Sequence, residues 1–343
     1  MYVNFSNQKQ ILQLSPEKKK IVRLNLLKLQ RQKQLELQKQ KQSQKSYYDF
    51  ASLMLNIISL NAENPSRIIN SNSQDIEIYK QINNDVNCDK TIISVYLHNS
   101  HGFGDYLRGS IVLAHYAKYF GVNFKMCMNA HQICKYLDNP DTTIQPSTGN
   151  IESYCHDKTY LELYSRIIQF MNSHEKTLYI QSNMIYNMKL PSQDIKDFIN
   201  SSIKFKPNYY TIAENLVGLD SYNVLHVRVS DDYFNSDIDT FKEDAMIKDI
   251  QNINLTNNTI IISNNYSLKR RIAGLFGFKF IDNKAEHSAY SDDLESSIID
   301  YIILSQSSRI FCLTVYAHGS GFSEQCAVLN NIPYQVKMIN IEQ

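Results

Sequence analysis

The clearest structural signal in this chain lies in residues 91–128, which read TIISVYLHNSHGFGDYLRGSIVLAHYAKYFGVNFKMCM. Its first seven residues form an apolar, β-branched run that is typical of a buried strand, and residues 122–128 form a second one. Between these runs, apolar residues recur at helical spacing from Asp105 to Phe120, and Gly121 is placed to end the helix. The order strand, helix, strand predicts a βαβ unit, whose two strands are parallel.

The same alternation recurs along the rest of the chain. In the second half the pattern predicts strands at 223–229, 259–263, 278–282, 309–315 and 334–338, and helices at 241–251, 267–276, 292–305 and 323–329. In the first half it adds helices at 160–172, 192–201 and 207–216 and a strand at 177–181. Repeated alternation of strands and helices predicts an α/β fold with parallel, doubly wound sheets. The irregular region near 202–222 is the expected boundary between two such domains.

A length of 343 residues is sufficient for two domains, and charge separates a third region from them. Residues 1–45 hold 11 Lys and Arg against 2 Glu, whereas the remainder holds 24 Lys and Arg against 32 Asp and Glu, a net charge of −8. We therefore predict a basic helical arm over 1–60, a first α/β domain over 61–215 and a second over 216–343. A solvated helix or short coiled coil is the favoured interpretation of residues 15–45, and a partner could be contacted there. Binding to nucleic acid or anionic lipid is the alternative, with nucleic acid the least favoured main function.

Composition excludes several classes of protein. No apolar run reaches the roughly 18 residues of a membrane span, and no signal peptide is visible at the N-terminus. The six cysteines lack the CxxC spacing of a zinc site, so we expect reduced thiols, no structural metal and an intracellular, cytoplasmic protein.

The predicted strand at 223–229 carries the most unusual polar residues of the chain. His226 and Arg228 are two residues apart, so both side chains lie on the same face of the strand. A guanidinium can bind phosphate through two parallel hydrogen bonds, which predicts an anion site where this strand ends. The alternative is an ion pair of Arg228 with Asp231 or Asp232.

Two further segments follow predicted strands and open predicted helices. Residues 101–109 (HGFGDYLRG) contain closely spaced glycines, and residues 318–323 (HGSGFS) combine glycines with hydroxyls. Both patterns are typical of loops that expose N–H groups to an anion at a helix N-terminus. A tight turn for the first segment and an unliganded N-cap at Ser320 or Ser323 for the second are the alternatives. The GxSxG spacing of a hydrolase nucleophile is not present in the second segment.

Taken together, these segments resemble the GDP-fucose-using fucosyltransferase superfamily, which contains α1,2-, α1,6- and protein O-fucosyltransferases. Residues 102–105 (GFGD) are similar to the family's Gly-x-Gly-Asn/Asp motif. Residues 226–231 (HVRVSD) are similar to its His-x-Arg-x-Gly-Asp motif, with serine in place of glycine. Residues 300–305 (DYIILS), followed by 320–323 (SGFS), resemble its Asp-x-x-x-Leu/Met-Ser segment and Ser/Thr-rich turn, and residues 263–265 (SNN) resemble its Ser-Asp-Asn/Asp turn.

The resemblance implies an inverting, metal-independent glycosyltransferase of GT-B type, with two Rossmann-like domains facing a cleft. The C-terminal domain would hold GDP, and the N-terminal domain would hold the acceptor. Carried onto this chain, Arg228 binds the β-phosphate, His226 supports it, and Asp300 lies near the nucleoside. The pyrophosphate would be bound by Ser320, Gly321, Phe322 and Ser323, and the donor would be approached across the cleft by Gly102, Gly104 and Asp105.

The leading hypothesis is therefore transfer of fucose from GDP-fucose to a glycan acceptor, with no further cofactor. Arg228, His226 and Asp231 are the candidate catalytic residues. Asp231, Asp232 and Glu243 are all open as the general base. One alternative is a glycosyltransferase for another nucleotide sugar. An alternative of another class is a non-catalytic protein that binds a nucleotide sugar or a partner on the same scaffold.

Overall fold

The computed structural model describes residues 89–98, 100–155, 160–184, 190–234, 240–253, 255–289, 291–316 and 319–339. All of these residues fall within one compact unit of the chain. The predicted basic arm over 1–60, with its predicted partner surface at 15–45, lies outside the described residues.

The first half of the described chain is built on a four-stranded parallel sheet. Its strands are β1 (Thr91–Val95), β2 (Asn123–Cys127), β3 (Ile151–Tyr154) and β4 (Thr177–Ser182), in the order β2-β1-β4-β3. Its helices are α1 (Phe103–Phe120) and α2 (Tyr160–Asn172). Four of the five residues of β1 are buried, as expected for a central strand of a parallel sheet covered on both faces.

The second half contains a five-stranded parallel sheet in the order β7-β6-β5-β8-β9. The strands are β5 (Asn223–Arg228), β6 (Thr259–Ser263), β7 (Lys279–Phe280), β8 (Arg309–Thr314) and β9 (Tyr334–Met338). Between the two sheets along the chain lie helices α3 (Gln193–Ser202) and α4 (Pro207–Val217), and the second half adds helices α5 (Thr240–Gln251), α6 (Tyr266–Phe276), α7 (Glu295–Ser305) and α8 (Gly321–Asn330). The chain leaves β5 toward β6 on one side, and β8 lies on the other, so the strand order reverses between β5 and β8. Ligands of open α/β sheets bind at such a reversal, beyond the carboxyl ends of the strands.

Helices of the two halves are in direct contact. Helix α1 packs against β1, β2 and β4 of its own sheet and also against α8. One buried apolar cluster includes Leu107 and Ile111 of α1 together with Ile298 of α7 and Leu329 of α8. The start of α1 is therefore held next to the start of α8.

The predicted α/β class with parallel sheets is confirmed, and the differences from the sequence prediction are local. Strand β3 was not predicted; it is a short edge strand of four residues whose partner in the described sheet is β4. Strand β7 has two residues where five were expected, because only Lys279 and Phe280 of that stretch pair with β6. The helix ends expected at Gly121 and Gly277 are confirmed, with φ of 66° and 68°.

Three helices begin two or three residues away from the predicted position. Helix α1 begins two residues early, at Phe103, and α8 begins two residues early, at Gly321, so glycines that were expected in loops are helical. Helix α7 begins at Glu295 instead of residue 292, and the Asp293 carboxylate accepts the Glu295 N–H at 3.1 Å at this helix start.

Candidate active site

A cavity of about 400 Å³ lies at the carboxyl ends of β5 and β8. This volume is in the range of small-molecule sites. Residues within four segments form most of its wall: 100–105, 226–234, 285–301 and 316–322. The cavity brings together ten of the eleven site residues that the sequence predicts, namely Gly102, Gly104, Asp105, His226, Arg228, Asp231, Asp300, Ser320, Gly321 and Phe322.

His226 is a buried, neutral histidine at the cavity wall. Its Nδ1 lies 2.8 Å from the Ser323 hydroxyl, and only 3% of the residue is exposed. Burial lowers the pKa of His226 to about 3, and the nearby Arg228 charge acts in the same direction. The imidazole therefore carries no charge at neutral pH, and it can act on a ligand only through hydrogen bonding or packing.

Arg228 stands two residues further along β5 and also faces the cavity. Its Nη2 donates to the Asp231 carboxylate at 2.5 Å, and its Nη1 donates to the Val229 carbonyl at 3.0 Å. The guanidinium lies 5.5 Å from the ring centre of Tyr316. The ion pair with Asp231, one of the sequence-based alternatives, is thus the arrangement in this structure. These bonds involve two of the five guanidinium N–H groups.

The N-terminus of α8 forms another part of the cavity wall. Ser320 occupies the N-cap position and is buried, but its side chain makes no hydrogen bond to the first turn of the helix. The first backbone N–H groups of a helix have no partner within the helix, and they attract anions. Gly319 to Phe322 line the cavity, so this helix end can present N–H groups to a ligand there.

The N-terminus of α1 crosses that of α8 at a contact between glycines. A Cβ atom on Gly104 would lie 2.2 Å from both the Gly321 carbonyl carbon and the Phe322 nitrogen, closer than any real contact. Gly104 is thus a helical glycine at a packing contact between two helices and not a loop glycine, and it also lines the cavity. Asp105, in the first turn of α1, forms an ion pair with Arg108 at 2.6 Å.

Asp300 of α7 supplies a carboxylate at another part of the wall. Its Oδ1 accepts from the Asn283 side-chain amide at 2.9 Å, whereas its Oδ2 is buried and has no hydrogen-bond partner among the described residues. Burial raises the pKa of Asp300, and the Lys269 charge and the Asn283 hydrogen bond oppose that shift. A buried carboxylate oxygen without a partner among the described residues keeps its capacity to accept a hydrogen bond.

Three other residues named from the sequence do not line the cavity. Ser323 is fully buried behind His226, where its hydroxyl contacts the imidazole, so it acts on the site only through His226. Asp232 is exposed and bonds to Ser230. Glu243 on α5 forms an ion pair with Arg271 of α6 and is not among the residues that line this cavity.

A wall segment that the sequence analysis missed is 285–289, just before α7. The Ser288 hydroxyl accepts the Phe103 N–H at 2.8 Å and the Tyr96 hydroxyl at 3.0 Å, and the Ser288 carbonyl lies 2.9 Å from His131 Nε2. Burial lowers the pKa of His131 to about 4, so this contact is made by a neutral imidazole. The segment follows β7, so the rule that ligands bind beyond the carboxyl ends of strands is the signal that could have found it.

Neither a membrane span nor a metal cluster occurs in the described part of the chain. It contains no helix long and apolar enough to cross a membrane. Within the same residues, no group of three or more His, Cys, Asp or Glu side chains is arranged to hold a metal ion. None of the five described cysteines forms a disulfide with another described residue.

The protein is an α/β protein with parallel sheets, and a cavity of small-molecule size lies where the strand order of the second sheet reverses. Comparison with solved structures finds similarity to fucosyltransferases, the family that the sequence motifs resemble. Fucosyltransferase NodZ from Bradyrhizobium is 12% identical with a TM-score of 0.46, over 75% of this chain and 97% of that one. A mutant of Arabidopsis thaliana FUT1 in complex with GDP is 10% identical with a TM-score of 0.42, over 78% of this chain and 75% of that one.

POFUT1 in complex with GDP is 9% identical with a TM-score of 0.37, over 73% of this chain and 99% of that one. No protein-family model matches the chain, and no curated protein matches it.

Proposed function

We propose that the protein is a glycosyltransferase that transfers fucose from GDP-fucose to a glycan hydroxyl, with inversion at the anomeric carbon and without a metal. One observation carries the proposal. A single cavity combines a cation, Arg228, with the N-terminus of α8 and with Asp300, one of whose carboxylate oxygens has no partner among the described residues. A nucleoside diphosphate has the complementary groups: an anionic phosphate end and a base with N–H donors.

The phosphate end of the donor is assigned to Arg228 and the N-terminus of α8. In the transfer, the acceptor oxygen bonds to the anomeric carbon as the bond from that carbon to the β-phosphate oxygen breaks, so GDP leaves with the electron pair. Negative charge grows on the diphosphate during this step. A guanidinium and a helix N-terminus, fixed in advance on one cavity, can stabilise that charge. Neutral His226 contributes a hydrogen bond or packing and no charge.

The base end of the donor is assigned to Asp300. Guanine presents two adjacent N–H donors, on N1 and on the exocyclic amine, and a carboxylate accepts such a pair. Pairing with the ligand would satisfy the Asp300 oxygen that is buried without a partner. The proposal accordingly assigns donor binding to the domain predicted over 216–343 and acceptor binding to the domain predicted over 61–215.

The acceptor hydroxyl must lose a proton, and Asp231 is the proposed base. Among the three carboxylates considered from the sequence, only Asp231 lines the cavity. Its ion pair with Arg228 places it next to the proposed leaving group. When the diphosphate takes over the guanidinium, the Asp231 carboxylate is released to accept the proton.

Thermal unfolding with a panel of nucleotides tests the proposal. With ligand at 100 times its dissociation constant, a site specific for the folded state stabilises by about 2.7 kcal/mol, which raises Tm by roughly 4 °C for a chain of this size. We expect this rise with GDP and GDP-fucose and less with UDP-sugars. A comparable rise with GDP-mannose or a UDP-sugar, but none with GDP-fucose, would favour a glycosyltransferase for another nucleotide sugar. No rise with any nucleotide contradicts the proposal.

Asp231 yields a second prediction, since it competes with the diphosphate for Arg228. The Asp231 side chain is 57% exposed, so the ion pair is screened and its loss should strengthen GDP binding in Asp231→Asn only by roughly two- to five-fold. Fucose transfer by the same variant should fall sharply, because the base is removed. Asp232→Asn, one residue further on and outside the cavity, is the matched control and should change neither quantity. Unchanged transfer by Asp231→Asn would exclude Asp231 as the base.

The same ion pair favours one alternative, a non-catalytic protein that binds a nucleotide sugar. In this structure Arg228 and Asp231 are bonded to each other. The guanidinium that is proposed to bind phosphate and the carboxylate that is proposed as the base are therefore both engaged in this ion pair. Tight binding of GDP-fucose without transfer or hydrolysis, in the presence of a range of glycan acceptors, would support this alternative.

A further inference from the structure

Lys269 is a lysine with no solvent exposure, placed on α6. Lysine is almost never fully buried unless its ammonium group is paired, so its partners indicate its purpose. The Nζ atom donates to the backbone carbonyl of Asn283 at 2.7 Å and to the side-chain oxygen of Asn283 at 2.6 Å. Two short bonds thus hold the ammonium group against a single residue of the segment after β7.

Asn283 connects Lys269 to Asp300, a residue of the cavity wall. With its side-chain oxygen bonded to Lys269, its amide nitrogen donates to Asp300 Oδ1 at 2.9 Å and to the Ser296 carbonyl at 3.2 Å. The amide orientation of Asn283 is therefore set by a cation on one side and a carboxylate on the other. Because Oδ1 of Asp300 is bonded to Asn283, Oδ2 is the oxygen left without a partner among the described residues.

Lys269, Asn283 and Asp300 form a relay, and the charges of its two ends, Lys269 and Asp300, also influence each other. Burial disfavours the charged forms of both end groups, raising the pKa of Asp300 and lowering that of Lys269, while the attraction between the two charges opposes both shifts. Asp282 also acts on Lys269, and it accepts a hydrogen bond from the Tyr266 hydroxyl at 2.5 Å. A buried carboxylate without a nearby cation would take up a proton and become a hydrogen-bond donor on one oxygen.

We propose that Lys269, acting through Asn283, is a positioning residue that keeps Asp300 ionised and turns its Oδ2 to the cavity, and thereby determines which nucleobase the site accepts. This inference rests on the proposed function. An ionised acceptor favours a base edge with adjacent N–H donors, as in guanine. It disfavours uracil, whose single N–H lies between two carbonyl oxygens that a carboxylate repels. Lys269 touches no substrate; it selects the base by controlling the charge and orientation of Asp300.

The test measures the affinities of GDP and inorganic pyrophosphate by calorimetry in wild type, Lys269→Met and Asn283→Ala. Loss of a hydrogen bond to a charged group should weaken GDP binding by roughly 10- to 100-fold in both variants. Pyrophosphate has no nucleobase and should bind only at the proposed phosphate site of Arg228. Its affinity should therefore equal that of wild type in both variants. Asn283→Ala breaks the relay while leaving Lys269 its bond to the backbone carbonyl, so it decides the question if Lys269→Met fails to fold.

Lys196→Met is the matched control for losing a buried lysine. Lys196 is 6% exposed and donates to the Asn331 side-chain oxygen at 2.6 Å, but it does not line the cavity. We expect it to leave both affinities unchanged.

The pH profile of GDP binding separates a charge effect from a structural one. Binding requires the ionised carboxylate, so affinity falls as pH drops through the Asp300 pKa. Lys269 lowers that pKa, and its removal raises it, so the fall should begin at higher pH in Lys269→Met. An unmoved profile, or an unchanged ratio of GDP to pyrophosphate affinity in a folded variant, overturns the role of Lys269. Failure of the wild type to bind GDP at all would instead overturn the proposed function.

Discussion

Replacing Arg228 with alanine is expected to weaken GDP binding by about 100-fold, or roughly 3 kcal/mol, because it removes charge-assisted hydrogen bonds to the diphosphate. Fucose transfer should fall further than binding, since the leaving group gains charge in the transition state. Only 17% of the Arg228 side chain is exposed, so the lost interaction is poorly replaced by water. Calorimetry with GDP and a transfer assay with saturating GDP-fucose measure the two effects.

Arg309→Ala is the matched control for Arg228→Ala. Arg309 begins β8, the strand next to β5, but it lies at the amino end of the sheet and is exposed. Its removal should leave GDP affinity unchanged. Arg228→Lys should recover part of the affinity, since an ammonium group retains the charge but not the paired N–H geometry. Equal GDP affinity in wild type and a folded Arg228→Ala variant would contradict the proposal that Arg228 binds the diphosphate.

A single methyl group at Gly104 is expected to destabilise the protein by about 3 kcal/mol or more, as overpacking against backbone atoms does. The added Cβ would lie 2.2 Å from two backbone atoms of α8, which cannot rotate away as a side chain can. The two helices must separate, and the N-terminus of α8 then moves out of the cavity. Urea unfolding of Gly104→Ala should show the loss of stability, and calorimetry with GDP should show weaker binding.

Gly274→Ala is the matched control for that change. Gly274 lies within α6, and a Cβ there would meet nothing within 4 Å. Alanine should therefore leave stability unchanged or raise it by about 0.5–1 kcal/mol. If Gly104→Ala were as stable as Gly274→Ala, the glycine contact between α1 and α8 would not be the reason for glycine at 104.

Local patterns in the sequence were sufficient for most of the fold. The alternation of apolar runs located the strands, and the positive-φ glycines 121 and 277 located two helix ends. Strand β3 was missed because an edge strand of four partly exposed residues has no continuous apolar run. Where helices begin was harder to predict, because Gly104 and Gly321 are helical where two distant segments pack against each other.

The candidate site was predictable where its residues lie on a single strand. His226 and Arg228 share a face of β5, and alternation alone placed them together. What the sequence could not indicate were contacts between distant segments: Ser323 lies behind His226 from 97 positions away, and Ser288 bonds to Phe103 from 185 positions away. The partnership of Lys269 with Asp300 is likewise visible only once α6 and α7 are packed.

The most direct measurement is a crystal structure of the protein with GDP bound. We expect the β-phosphate of GDP to lie within hydrogen-bond distance of the Arg228 guanidinium and of backbone N–H groups at the start of α8. We also expect guanine N–H groups on Oδ2 of Asp300. GDP bound outside this cavity, or bound inside it with its phosphates away from Arg228, would contradict the account.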